Sequence, residues 1–333
     1  MEAVTLDAPA DHRRPSALHV VAGALLGGSV VLHVVAMFPA YFSGPGGSSL
    51  ASQPDQAALY AVLAAGWAAA LAIGLTGPAR APVGAGVAVG LAVTELGFRV
   101  SDAGEVFRYG TSQAGAGRWI MCAAWVVGAA GAAAAVSAVR RRDRASLVAE
   151  PPSRLGAAPL AAVAVLAVVT GGAFLPDWDH YVGVAASGRS VSFDLGDAFA
   201  QPWQVVVGSV IAAVVLAGVP VVAMRWGRRD VGAAAVCGAL VVLASQFVAA
   251  VVQVDLPVSP AVAGLSPAQA NRVGLVLGLR LTGWYTLDVL VALALLATVV
   301  MISTARVRAL QENSAGTWPR APLARSDATL PSS

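Results

Sequence analysis

The stretch Val231–Val254, VGAAAVCGALVVLASQFVAAVVQV, runs for 24 residues without a charged side chain. As an α-helix rising 1.5 Å per residue it is about 36 Å long, enough to cross a hydrocarbon core of about 30 Å. A helix on the surface of a soluble protein keeps a polar face. This one is apolar all round, broken only by Ser245, Gln246 and Gln253 besides its small residues. It reads as a membrane span. Seven more runs share that character: Leu18–Phe38, Ala57–Gly77, Pro82–Phe98, Arg118–Val139, Leu155–Leu175, Trp203–Met224 and Gly283–Ser303. The third is the shortest, has the most glycine and contains a carboxylate.

Composition agrees. Of the 333 residues, 57% are hydrophobic and 12% charged, and the mean hydropathy is +0.73. An average soluble domain has about 25% charged residues. Soluble globular, disordered, collagenous and disulfide-stapled classes are therefore excluded, and an all-α polytopic membrane bundle of about eight helices remains. Cys122 and Cys237 both lie in apolar runs, which leaves no disulfide framework and no cysteine zinc site. All 21 basic residues are arginine, a bias that resembles high-GC bacterial coding. The net charge of +3 and the lack of a basic, aromatic-bearing stripe argue against nucleic acid as a partner.

Arginine placement sets the expected orientation in the cytoplasmic membrane. With the N-terminus inside, 15 of the 21 arginines fall on inner segments, including Arg140, Arg141, Arg142, Arg144 and Arg154. Eight spans then return the C-terminus to the cytoplasm. The first run is longer than the 7–15 apolar residues of a secretory signal, so it is read as a span. The expected organisation is a disordered tail over 1–17, a four-helix half over 18–139, an Arg-rich linker over 140–154, a second four-helix half over 155–309 and a disordered tail over 310–333.

The halves overlay. Pro39 follows the first span and Pro176 the fifth; Thr94-Glu95 near the end of the third matches Ser245-Gln246 near the end of the seventh. Each half has four spans, an even number, so a tandem repeat would be parallel rather than inverted. Gly23-x-x-x-Gly27, Gly86-x-x-x-Gly90 and the run Ala129–Ala135 supply small surfaces for close helix contact.

Few polar groups lie within the spans. Glu95 is the one carboxylate deep in a run, with Arg99 one turn on. Ionisable residues at membrane depth face a bundle interior or a wet cavity. Glu95 is expected inside, as a proton or cation site or as a satisfied ion pair, with Gln246 across the bundle axis. His33 in the first span, an imidazole that can both donate and accept, joins the candidate path. Asp288 stands early in the eighth run after Arg280, two turns back on a continuous helix and able to lie on its side; with Trp284 and Tyr285 the group reads foremost as interfacial anchoring. The long outer segment Pro176–Pro202 carries Asp177, Asp179 and His180, at a spacing that matches no standard metal site. Ser266, Pro267 and Gln269 form a capping-box signature, expected to open an outer helix over Ala270–Leu281 that feeds the last span.

Walker, zincin and nucleophile-elbow motifs are all missing, and no cofactor is expected. Three classes of function are compatible. One is a transporter or permease-like bundle with a polar path between the halves near Glu95, Gln246 and His33, acting on a small molecule or ion. Another is a non-catalytic scaffold or accessory subunit that meets membrane-protein partners. The third is a membrane-embedded enzyme using Glu95 or the acidic outer loop.

Overall fold

A computed structural model describes residues 17–43, 47–109, 114–145, 155–193, 203–225, 229–260 and 265–316. The chain is an all-α membrane helix bundle. Nine α-helices are present among these residues: α1 (Ala17–Ala36), α2 (Pro54–Leu75), α3 (Ala81–Tyr109), α4 (Ala116–Ala145), α5 (Ala157–Ala173), α6 (Trp203–Arg225), α7 (Arg229–Val254), α8 (Pro267–Val273) and α9 (Gly283–Gly316). Seven are long and apolar enough to cross a bilayer. The exception among the eight expected spans is α5, which at 17 residues is a shorter apolar helix.

The eight long elements form two rings of four. In one, α1 packs on α2 and α4, and α3 on α2 and α4; in the other, α5 packs on α6 and α9, and α7 on α6 and α9. The rings meet where α3 lies along α7, flanked by α3 against α6 and α2 against α7. Exposed Val31, Val165, Val214, Leu290 and Val300 face outward, as the hydrocarbon of a bilayer requires.

Glycine explains the central position of α3. A Cβ at Gly86 would lie 2.5 Å from the Val231 carbonyl oxygen, and one at Gly97 would lie 2.6 Å from the Ala212 Cα. Gly90 meets the Ala235 backbone and Gly238 the Val87 backbone in the same way. Successive α3 residues meet successive α7 residues, so the two helices run parallel. Gly86-x-x-x-Gly90 is thus a helix-contact motif. Gly23 and Gly27 only see Leu75 and Leu71 side chains at ordinary contact distance.

The third run, weakest in sequence, belongs to the most buried of the long helices and continues to Tyr109. Its small, polar residues are suited to a site with helices on every side. Similarly, α4 reaches Ala145 and α9 reaches Gly316, past the expected linker and tail boundaries. The rest of the linker, 146–154, and the rest of the two tails, 1–16 and 317–333, lie outside the described residues, as do Asp194 and Asp197 of the segment Pro176–Pro202.

One end of the bundle carries a small sheet. The segment after α5 folds into β1 (Asp179–Val184) and β2 (Ser190–Phe193), turning through Gly188 at φ +78°. β3 (Val276–Leu281) joins the other edge of β1, giving an antiparallel order β2-β1-β3 with Tyr181 opposite Leu279. This corrects the expected helix over Ala270–Leu281. The capping box at Ser266 and Gln269 does form and starts α8, but Gly274 at φ +58° ends it. Val276-Leu-Gly-Leu-Arg-Leu then alternates along a strand, with Leu279 buried and Val276 and Arg280 exposed.

Candidate functional site

Polar residues spaced by four or seven lie on one face of a helix. Ser29 and His33 on α1, Tyr60 and Trp67 on α2, and Glu95 and Arg99 on α3 all obey that spacing, and all six turn into the interior of the first ring. Glu95 and His33 are completely buried.

The Glu95 carboxylate is the hub. Its Oε1 accepts from Arg99 Nε at 3.1 Å and Nη2 at 2.5 Å, and lies 3.2 Å from His33 Nε2. Its Oε2 accepts from Trp67 Nε1 at 3.1 Å. Arg99 Nη1 donates to the Tyr60 hydroxyl at 3.3 Å, and that hydroxyl is 3.5 Å from the Tyr41 hydroxyl. On the other side, His33 Nδ1 is 2.9 Å from the Ser29 carbonyl oxygen, and Ser29 Oγ donates to the Ala124 carbonyl at 2.9 Å. Gly128 makes room there, because a Cβ would lie 2.6 Å from Ser29 Oγ.

The imidazole contacts decide the chemistry. A backbone carbonyl only accepts, so His33 Nδ1 must carry a hydrogen. Its Nε2 faces a carboxylate oxygen, also an acceptor unless protonated. The His33–Glu95 contact therefore holds one proton, on the imidazole or on the carboxyl. Arg99 supplies a second, permanent positive charge. Toward the end where α4 carries Arg140–Arg142, a cavity of about 60 Å³ opens between α1, α2, α3 and α4. His19, Leu26, Gly74 and Ala85 are among its walls. Leu26 is two helical turns from His33.

Gln246 is half-buried on α7 and is not among the Glu95 partners, which are His33, Trp67 and Arg99. The Glu95 network thus lies inside one ring, while glycine–backbone contacts close the boundary between rings. Sequence reasoning found Glu95, His33 and Arg99 but missed Trp67, Tyr60 and Ser29. Their i,i+4 and i,i+7 spacing to one another was the available signal.

The other candidates lie elsewhere. Asp179 and His180 are neighbours on β1, so the strand sends their side chains to opposite faces. Burial pushes the Asp179 carboxyl above its ordinary range, with His180 pulling it back in part. The Asp177 carbonyl accepts from Thr282 Oγ1 at 2.8 Å. No metal-binding cluster exists among the described residues. Arg280 is exposed on β3 opposite His180, not on one helix with Asp288 as expected. The strand replaces that helix turn. Asp288 itself is fully buried on α9, and neither carboxylate oxygen has a hydrogen-bond partner among the described residues.

Compared with known proteins, the chain matches no family model, and no curated protein or solved structure is similar to it.

Proposed function

We propose that the chain is a permease-like membrane protein that handles protons at Glu95 and His33, within its first helix ring. The observation that carries this reading is the pair of acceptors around the His33 ring, which requires a proton shared with Glu95 at membrane depth. Stability alone is a weak reason to keep such a group. A buried ion pair is often replaced by apolar residues at no cost, and ionisable residues at membrane depth mark functional sites by default. The cavity below Leu26 supports access from the Arg-rich end, which the arginine distribution assigns to the cytoplasm, with both termini on that side of a cytoplasmic membrane. Arg99 lies on the opposite side of Glu95, where its fixed charge opposes entry of cations.

The packing also favours a parallel tandem repeat. Exchanging α1, α2, α3 and α4 for α5, α6, α7 and α9 turns every packed pair of long helices into another packed pair, with α3–α7 mapped onto itself. A second reading, a scaffold or accessory subunit, is favoured by the close-packed boundary between rings and by the sheet at one end.

The test is proton flux in liposomes with trapped pyranine, driven by a potassium–valinomycin potential. Wild-type protein should admit protons faster than empty vesicles, and His33→Gln should reduce that excess at least tenfold while folding normally. Wild-type flux equal to that of empty vesicles would reject the proton reading and leave the scaffold.

A further inference from the structure

We propose that Asp288 is the anchor of a second site, one that takes a protonated primary amine with a short apolar chain. The contrast with Glu95 motivates it. Glu95 is satisfied from within the chain, by a guanidinium, an indole and an imidazole. Asp288 is equally buried, about 7.5 Å along its helix from Gly283, yet both oxygens lack a partner among the described residues. A buried carboxylate without donors is strongly disfavoured in its charged form, so Asp288 either keeps its proton or takes donors from outside the chain, and we adopt the second.

The neighbouring residues narrow the class of that partner. Tyr285 stands one turn before Asp288, and its ring meets Trp178 at 5.9 Å and Phe247 at 5.6 Å between centroids. Phe174 closes on Trp178 at 5.5 Å. One turn after Asp288, Ala292 packs with Leu216 and Leu243. The carboxylate thus sits between an aromatic cluster and an aliphatic floor. The helices that pack on α9 add no compensating charge here. α5 has no charged residue, and the charged residues of α7, Arg229 and Asp230, are at its other end. A metal ion needs several oxygen ligands, and the described residues hold no such cluster. An ammonium group needs one carboxylate, and aromatic and aliphatic walls suit its carbon tail. Two orphan acceptors call for N–H donors, which selects a primary over a quaternary ammonium.

The test uses full-length protein in detergent micelles, with tryptophan fluorescence followed as n-butylammonium chloride is added against matched sodium chloride. A saturable change should appear in wild type and weaken at least tenfold in Asp288→Asn. A response no greater than that to sodium chloride, or an unaltered titration in Asp288→Asn, overturns the proposal. Tetramethylammonium provides the arm that does not depend on the variant folding. It carries charge without N–H donors and should bind at least tenfold more weakly than butylammonium; equal binding overturns the assignment.

Discussion

A double-mutant cycle on Glu95 and Arg99 separates an interacting pair from two independent polar groups. Glu95→Leu removes the acceptor of both Arg99 bonds, of the Trp67 indole and of the His33 contact, and leaves the guanidinium buried. Breaking one partner of a buried pair costs about 3–5 kcal/mol. Arg99→Leu leaves Glu95 with Trp67 and His33 as donors, so its cost belongs near about 3 kcal/mol, the low end of the same range. In the double variant no uncompensated charge remains from the pair. What persists is the loss of an acceptor for Trp67 and His33, about 1–3 kcal/mol. The two single costs add to about 6–8 kcal/mol against about 1–3 for the double, a coupling of about 3–7 kcal/mol, at or above the top of the range for a contact pair. Equilibrium unfolding in mixed micelles, read by tryptophan fluorescence, measures all four corners. Additivity within about 0.5 kcal/mol would refute the reasoning, because it would mean that the two charges do not depend on each other.

Other expectations follow from single features. Gly90→Val drives a branched side chain into the Ala235 backbone and should destabilise the bundle by about 3 kcal/mol or more, seen as lost monodisperse protein in gel filtration. Gly274→Ala places a Cβ at φ +58° and should cost about 1 kcal/mol, with faster amide exchange in α8 and β3 as the readout. Burial raises the Asp179 carboxyl, so the folded sheet binds the proton more tightly than the unfolded chain does. Its contribution is full below the ordinary value of 3.8 and is lost as pH rises through the raised folded value; exchange protection of β1, corrected for intrinsic rates, should fall over that rise. Reporter fusions at Glu312 and within Ser187–Ser192 should report opposite sides of the membrane, and a shared side would refute the assigned topology.

Element identity was largely legible in the sequence because a helix that crosses lipid needs an unbroken apolar run. Positions within the bundle were less so. The glycines of α3 made it the faintest run, yet they are what lets it sit against α7 and α6. Low apparent hydrophobicity and central packing had one cause. The segment after Gly274 was misread since Leu, Val and Arg suit helix or strand equally, and only pairing with β1 decides between them. At the site, Glu95 announced itself as a carboxylate in an apolar run. Trp67 and Tyr60 did not, because an aromatic residue in a membrane helix is ordinary; their seven-residue spacing marks a shared face, but a hydrogen bond to a distant helix adds nothing local to it. A shared side for Asp288 and Arg280, the alternative to simple interfacial anchoring, needed a continuous helix, and it fell with that helix.

The sheet ties the order of assembly to the order of synthesis. β1 leaves the ribosome before α6 and α7, but the strand that completes its second edge follows both. Until β3 emerges, the β1–β2 hairpin presents an open edge, a surface that invites pairing with other chains. A ribosome-bound chain arrested after α7 should therefore bind chaperones or be cut by proteases at the hairpin. Release of the remaining segment should end that vulnerability in a single late step, and the second ring closes only then.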